Sequence, residues 1–271
     1  LEWMILVIIG LLAGTLGSIV GLGGGIIIVP SLLFVNSLGL LSINLKLQNV
    51  VGISLFVIIF VSLSSTIYYY KQKKVDINSG LFFFIACGPT AIIGSLLSQH
   101  IYIKYFYILF GLLMLFITYL LSKQKKLKPR KIKWDVTKVH VDNYGNRQEY
   151  GYNRVVGFVV TGFAGLLAGL FGIGGGTILV PMMVLLFNFP IQVATATSMF
   201  IILLSTLSGS ISHIVLGHII FKYVLIIGIG AYSGGKLGSY IASKVSGKAL
   251  VFVLQLVIIF VATQMIYTGL S

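Results

Sequence analysis

Residues 17–30 read GSIVGLGGGIIIVP, with glycine at 21, 23, 24 and 25 and proline at 30, inside a stretch that carries no charge from Trp3 to Leu45. Glycine weakens a helix by about 1 kcal/mol per residue relative to alanine. Three in a row, followed shortly by proline, cannot sit inside one regular helix. The apolar segment 4–37 would measure about 51 Å as a helix. One bilayer crossing takes about 30 Å and two take about 60 Å. The segment is therefore predicted as a broken element, either a re-entrant helical hairpin or a long kinked span.

The same text recurs. GTLGSIVGLGGGIIIVP (14–30) aligns without a gap on GLLAGLFGIGGGTILVP (165–181) at an offset of 151, which takes Gly23–Gly25 to Gly174–Gly176 and Pro30 to Pro181. Beyond the prolines the offset is 144, pairing Gln48 with Gln192, Ser54 with Ser198, Ser64 with Ser208 and Gly94-Ser95 with Gly238-Ser239. The chain reads as an internal duplication, with a first repeat at 1–121, a linker at 122–153 and a second repeat at 154–271.

Composition sets the solvent. Hydrophobic residues make up 58% of the chain and charged residues only 9%, at a mean hydropathy of +1.06, against about 25% charged in soluble domains. Apolar spans of bilayer length fall at 47–70, 80–99, 102–121, 154–171, 192–217, 220–241 and 248–268. The expected fold is an all-α polytopic membrane protein of two homologous repeats, each a glycine-broken element plus three transmembrane helices. The opening LEWMILVIIG has neither a basic flank nor a small-residue cleavage site, and reads as membrane segment rather than a removed leader. Cys87 is the sole cysteine, so no internal disulfide is expected.

The net charge of +14 is localised: nine of the 19 lysines and arginines lie in 122–153, and Lys71, Lys73 and Lys74 follow the 47–70 span. Basic loops stay on the cytoplasmic side, and two intervening spans put both clusters there. The linker is thus a cytoplasmic, positive-inside tether, and anionic lipid is its sharper alternative partner. No aromatic-interleaved basic face points to nucleic acid. Within the linker, VTKVHV alternates, DNYGN supplies turn chemistry and RQEYGY follows, a β-hairpin pattern. If each broken element returns to the side it entered, the repeats are inverted and the loop with Lys244 and Lys248 joins the cytoplasmic face; this arrangement is favoured over parallel repeats.

A broken membrane helix exposes backbone groups that must face protein, water or ligand. Ile26 and Thr177 begin new helices, whose N-termini carry about half a positive charge and free N–H donors. Glycine lets an anion approach that backbone, so Gly23, Gly24, Gly25 and Ile26 with Gly174, Gly175, Gly176 and Thr177 form a candidate anion site. Close helix packing is the alternative role for the same glycines. Gln48, Asn49, Ser54, Gln192, Thr197 and Ser198 add candidate donors from the following spans, although Ile53 stands where the second copy has Thr197. Ser198, Ser205, Ser208 and Ser212 share one face of the 192–217 span, with Thr206, Ser210 and His213 beside it; such a face lines a path or bonds back to its own carbonyls. His213 and Lys236 are the histidine and the basic residue set furthest inside the spans, with gating or proton coupling weighed against a satisfied buried histidine and a snorkelling lysine. The five acidic residues, Glu2, Asp76, Asp135, Asp142 and Glu149, all avoid mid-span positions, which favours anion over cation transport.

No enzyme is expected. Ser210 and His213 lack the preceding glycine of a serine-hydrolase motif, GLGGG lacks the Lys-Ser/Thr of a nucleotide loop, and no cysteine–histidine cluster suggests a metal or other cofactor. Two G-x-G-G-G segments, each followed by proline, the segments QNVVGIS (48–54) and QVATATS (192–198), and GAYSGGKLGS (230–239) together resemble the TauE/SafE family of sulfite and sulfonate permeases over nearly the whole chain. The resemblance implies transport, chiefly export, of small sulfur-containing anions such as sulfite, sulfoacetate, thiosulfate or sulfate. An anion channel of the same architecture and proton-coupled uptake are the alternatives. It names neither the anion nor an oligomeric state.

Overall fold

A computed structural model describes residues 2–123, 134–141, 147–244 and 247–270. The DNYGN turn and most of the basic run after Lys123 lie outside the described residues. The helices are α1 (Glu2–Val20), α2 (Gly25–Ser37), α3 (Leu47–Lys71), α4 (Ile77–Leu97), α5 (Ile103–Lys123), α6 (Arg154–Phe171), α7 (Gly176–Leu185), α8 (Ile191–Val215), α9 (Phe221–Lys244) and α10 (Gly247–Leu270). Strands β1 (Val136–Val141) and β2 (Arg147–Tyr152) pair antiparallel, with Lys138 opposite Tyr150. Among the described residues five helices are long and apolar enough to cross a membrane: α1, α3, α4 with its one-turn extension to His100, α6 and α8. The protein is a predominantly helical, polytopic membrane protein.

Six helices pack as a ribbon in the order α1, α9, α3, α8, α4, α6, while α5 pairs with α10 and the short helices α2 and α7 pack on α3 and α8. Exchanging α1–α5 with α6–α10 turns the α1–α9 pair into α6–α4 and the α3–α9 pair into α8–α4. The closest pairs depend on absent side chains. A Cβ on Gly14 would lie 2.5 Å from the Ala231 carbonyl oxygen, and one on Gly234 would lie 2.3 Å from that of Leu11, so α1 and α9 touch backbone to backbone. At the α4–α6 contact, a Cβ on Gly169 would lie 2.0 Å from the Ala91 oxygen and one on Gly94 would lie 2.1 Å from that of Leu166. In lipid, which offers no hydrophobic drive between helices, such close van der Waals fit supplies the association. This packing accounts for much of GAYSGGKLGS.

Both broken elements turn back. The Glu2 carboxylate at the start of α1 accepts from the backbone N–H (3.1 Å) and hydroxyl of Ser42, beyond the end of α2, and from the Tyr223 hydroxyl at 2.6 Å. In the second half, Gly151 N–H donates to Phe187 O at 3.0 Å, and Asn188 Nδ2 donates to Glu149 O at 2.7 Å. The chain leaving α7 therefore lies beside the chain entering α6. The two elements open at opposite ends of the bundle. The Glu2 end also holds Gln48, Gln99 and His218, linked through Gln48 Nε2 to Gln99 O (3.5 Å) and Asn49 Nδ2 to His218 O (2.9 Å). The other end holds the hairpin and Asp76, whose carboxylate accepts from Lys138 Nζ at 2.6 Å, together with the Tyr68–Ser243 hydroxyl pair at 3.1 Å.

Candidate functional site

The two breaks meet. Each turn is closed by a left-handed glycine at the N-cap of the following helix, Gly24 (φ 88°) before α2 and Gly175 (φ 74°) before α7. An L side chain resists this conformation, which explains glycine at 24 and 175. Gly25 and Gly176 are glycine for another reason. A Cβ on Gly25 would lie 2.4 Å from the Gly172 oxygen and 2.6 Å from Ile173 Cα, and one on Gly176 would lie 2.4 Å from the Gly21 oxygen. The start of each short helix is thus pressed against the break of the other element. Both roles weighed for the glycines, chain reversal and close packing, are present at neighbouring positions.

Serines tie the breaks across the halves. Ser54 on α3 donates to Gly172 O at 2.7 Å, and Ser198 on α8 donates to Gly21 O at 2.8 Å. These carbonyls end α6 and α1, where helices leave oxygens without intrahelical partners. The hydroxyls predicted as ligand donors are therefore engaged in holding the breaks. At the helix starts, Ile27 and Ile28 N–H bond to Gly24 O, and Ile178 and Leu179 N–H bond to Gly175 O. Gly25–Ile26 and Gly176–Thr177 precede those first bonds, so their amides are the helix-initial donors. All of Gly23–Ile26 and Gly174–Thr177 are buried.

One side chain there lacks a partner. Thr177, the second residue of α7, is 0% exposed and its hydroxyl makes no hydrogen bond. A buried polar group left unsatisfied costs about 1–3 kcal/mol, and among the described residues at the two breaks Thr177 is the side chain that carries this penalty. Its counterpart at offset 151 is Ile26.

Two residues that sequence reasoning passed over close the middle. Ile58 is the twelfth residue of α3 (47 to 58) and Ile202 the twelfth of α8 (191 to 202), each helix having 25 residues. Both lie 3.1–3.2 Å from where a Cβ on Gly23 or Gly174 would sit. The isoleucines therefore cover both turns at the helix midpoints. An isoleucine inside an apolar span carries no signal of its own, but the offset of 144 places Ile58 on Ile202.

The remaining expected site residues lie elsewhere. Gln48 and Asn49 line a cavity of about 540 Å³ at the Glu2 end, with Lys46, Gln99, Gly217 and His218. Gln192 is exposed at the start of α8. Thr197 is buried against α4 and accepts from Asp76 N–H at 3.0 Å. Along α8 the hydroxyls of Ser205, Thr206 and Ser208 bond back to Ile202 and Leu204 carbonyls, as such residues do in membrane helices. Ser210 Oγ and His213 Nε2 have no partner. His213 packs on Gly52 of α3, and its Nδ1 lies 3.3 Å from His218 Nδ1, which requires one of the two nitrogens to accept. Burial and then the Lys46 charge hold His218 below its ordinary range. Lys236 is exposed on the outer face of α9 and does not reach the breaks. Gly234, Gly235 and Gly238 occupy the inner face of that helix, so residue 236 must point outward.

At the hairpin end Asp76 caps α4, accepting from Ser79 N–H (3.1 Å) and hydroxyl (2.8 Å), and it also takes Lys138 Nζ and the Tyr150 hydroxyl (3.2 Å). Burial opposes ionisation of Asp76, but the bonds from Lys138 and Ser79 prevail and hold its carboxyl below the usual range. Burial and the neighbouring carboxylate push the Tyr150 phenol up. A depressed carboxylate contributes stability that is complete above its unfolded value, about 3.9, and is lost as pH falls through the lower folded value. Relative to its intrinsic, base-catalysed rate, hydrogen exchange of the β1–β2 amides should therefore stay equally protected from about pH 5 to pH 8. Asp76→Asn should speed it at neutral pH by the loss of about 1.5–3 kcal/mol, the worth of hydrogen bonds to a charged group.

Comparison with known proteins follows the same span of chain. The family model described as "Sulfite exporter TauE/SafE" matches residues 6–265. The chain is 44% identical over 271 residues to the probable membrane transporter protein YunE of Bacillus subtilis, covering 100% of this chain and 99% of that one. It is 27% identical over 260 residues to a probable membrane transporter protein of Methanocaldococcus jannaschii, covering 91% and 88%. A 101-residue stretch is 32% identical to a protein of Arabidopsis thaliana named Sulfite exporter TauE/SafE family protein 6, covering 37% of this chain and 23% of that one. No solved structure matches the chain.

Proposed function

Because the chain belongs to the TauE/SafE sulfite exporter family, we propose that it exports small sulfur-containing anions, binding them between the two abutting glycine breaks. The candidates are sulfite, sulfonates such as sulfoacetate, thiosulfate and sulfate. The chain is a multi-pass membrane transporter and not an enzyme. The observation that carries the anion site is the unpartnered, fully buried Thr177 hydroxyl among helix-initial amides. These N–H groups carry the positive end of the α2 and α7 dipoles. Among the described residues the acidic side chains sit at the bundle ends or on the hairpin, so no carboxylate competes. Ser54 and Ser198 act as positioning residues that keep the breaks together.

The halves are read as inverted repeats. Supporting this are the return of α1–α2 to one end and of α6–α7 to the other, and the packing pairs that interchange between halves. Lys71, Lys73, Lys74, Lys138 and Lys244 gather at the hairpin end, which the positive-inside rule makes cytoplasmic. A potential of about 100 mV, negative inside, then drives a monovalent anion outward by about 2.3 kcal/mol, an approximately fifty-fold gradient without any coupling ion. Ile58 and Ile202, covering the turns, fit a carrier in an occluded state better than an open channel.

In proteoliposomes the wild type should show saturable flux of labelled sulfite that chloride does not compete away. Thr177→Val should preserve or raise the melting temperature, because it removes an unsatisfied buried hydroxyl, yet lower the flux about tenfold, the loss of one hydrogen bond to a charged group. Unchanged flux would remove Thr177 from the site.

A further inference from the structure

At the hairpin end a cavity of about 390 Å³ is lined by Lys73, Lys74, Asp76, Lys138, His140 and Tyr150, among others. Its charge does not balance. Lys138–Asp76 is the one ion pair among the described residues, which leaves Lys73 and Lys74 without a carboxylate partner. Burial holds the Lys74 ammonium below its ordinary range, so its charge is partly stripped of water.

The opposite end supplies a comparison within the chain. At offset 144, Lys73 falls on Gly217 and Lys74 on His218, and these two line the cavity at the Glu2 end. Both turns have the same form: Lys74 N–H bonds to Tyr69 O and His218 N–H to His213 O, five residues back in each case. Position 73 is left-handed at φ 56°, and position 217 at φ 68°. Glycine is the usual residue at this helix end, and a side chain there is disfavoured. Lysine nevertheless occupies it at the end where the hairpin adds Lys138 and His140, and glycine occupies it at the other.

We propose that this cavity is a capture site for small doubly charged oxyanions, held by Lys73 and Lys74, that loads the central site from the hairpin side. The capture role rests on the transport reading above. A basic, open recess raises the local concentration of anions and their rate of arrival, whereas the Glu2 end, with Lys46 alone lining its cavity among the lysines, releases them. Lys138 is held by Asp76, so its contribution is to fix one wall.

The test uses the double variant Lys73→Gly/Lys74→Gln in phosphatidylcholine vesicles of sorted orientation, with labelled sulfite and sulfate. Glycine suits the left-handed turn, so the melting temperature should not fall. The half-saturating concentration should rise severalfold from the hairpin side with unchanged maximal flux; from the Glu2 side it should stay as in the wild type while the maximal flux falls by the same factor, as detailed balance requires of a passive carrier. An unchanged value at the hairpin side, or an equal rise from both sides, would overturn the capture site and leave the transport reading standing. An effect confined to vesicles containing phosphatidylglycerol would assign the cavity to a lipid headgroup phosphate and overturn capture. If the wild type moves no sulfur anion, the transport reading fails. Equilibrium binding of sulfate to the purified protein then decides the cavity alone: binding lost in the variant upholds it, and binding unchanged overturns it.

Discussion

Gly25→Ala and Gly176→Ala should each abolish recovery of folded protein, while Gly162→Ala should not. A methyl at 25 would enter the Gly172 carbonyl at 2.4 Å, and one at 176 would enter that of Gly21 at 2.4 Å, with backbone on both sides of each contact. Overpacking a well-filled core costs about 1–3 kcal/mol and occasionally more. Here the two breaks must separate, which also strains the Ser54 and Ser198 bonds that span them. At Gly162 of α6 the nearest atoms to an added methyl are 3.8 Å away, and alanine gains up to about 1 kcal/mol in a helix. Size-exclusion profiles and melting temperatures of the three variants check this. Folded, wild-type-like Gly25→Ala protein would mean that the breaks do not press on one another.

Shortening the central isoleucines should raise permeability, with the valine pair retained as folded protein and the alanine pair recovered at a markedly lower melting temperature and yield. Ile58→Val with Ile202→Val costs about 0.5–1.5 kcal/mol per site, which a membrane bundle tolerates. Ile58→Ala with Ile202→Ala costs about 2–5 kcal/mol per site and clears the space over both turns. Flux through the alanine pair should rise tenfold or more and lose saturation, with the valine pair between it and the wild type. Efflux of labelled sulfite from loaded vesicles measures both. A pair of alanines that folds and transports at the wild-type rate would show that these side chains do not close the path.

The breaks were legible because glycine and proline act on the backbone directly, whatever surrounds them. The offsets of 151 and 144 made Ser54 and Ser198 equivalent before any contact was known. What the two serines bond to was not legible, since a hydroxyl in an apolar span signals only that a partner exists. Length alone allowed either a re-entrant or a kinked element at 4–37, and the choice required the Ser42–Glu2 contact. Lys236 looked like a charge within a span until the inward-facing glycines of α9 fixed its direction. The Lys138–Asp76 pair joins residues 62 apart in sequence, and no local pattern announces it. The alternating strands beside a turn-rich stretch were visible, because period two is a local property.

The central claim is that an oxyanion rests between the starts of α2 and α7. Selenite has the shape and charge of sulfite and a strong anomalous signal, so crystals of the wild type soaked with it test the claim most directly. One peak within hydrogen-bond reach of the Gly25–Ile26 and Gly176–Thr177 amides and the Thr177 hydroxyl, absent from Thr177→Val crystals, is the predicted result. Peaks confined to the lysines at the bundle ends, with Ile58 and Ile202 still filling the space at the breaks, would contradict it.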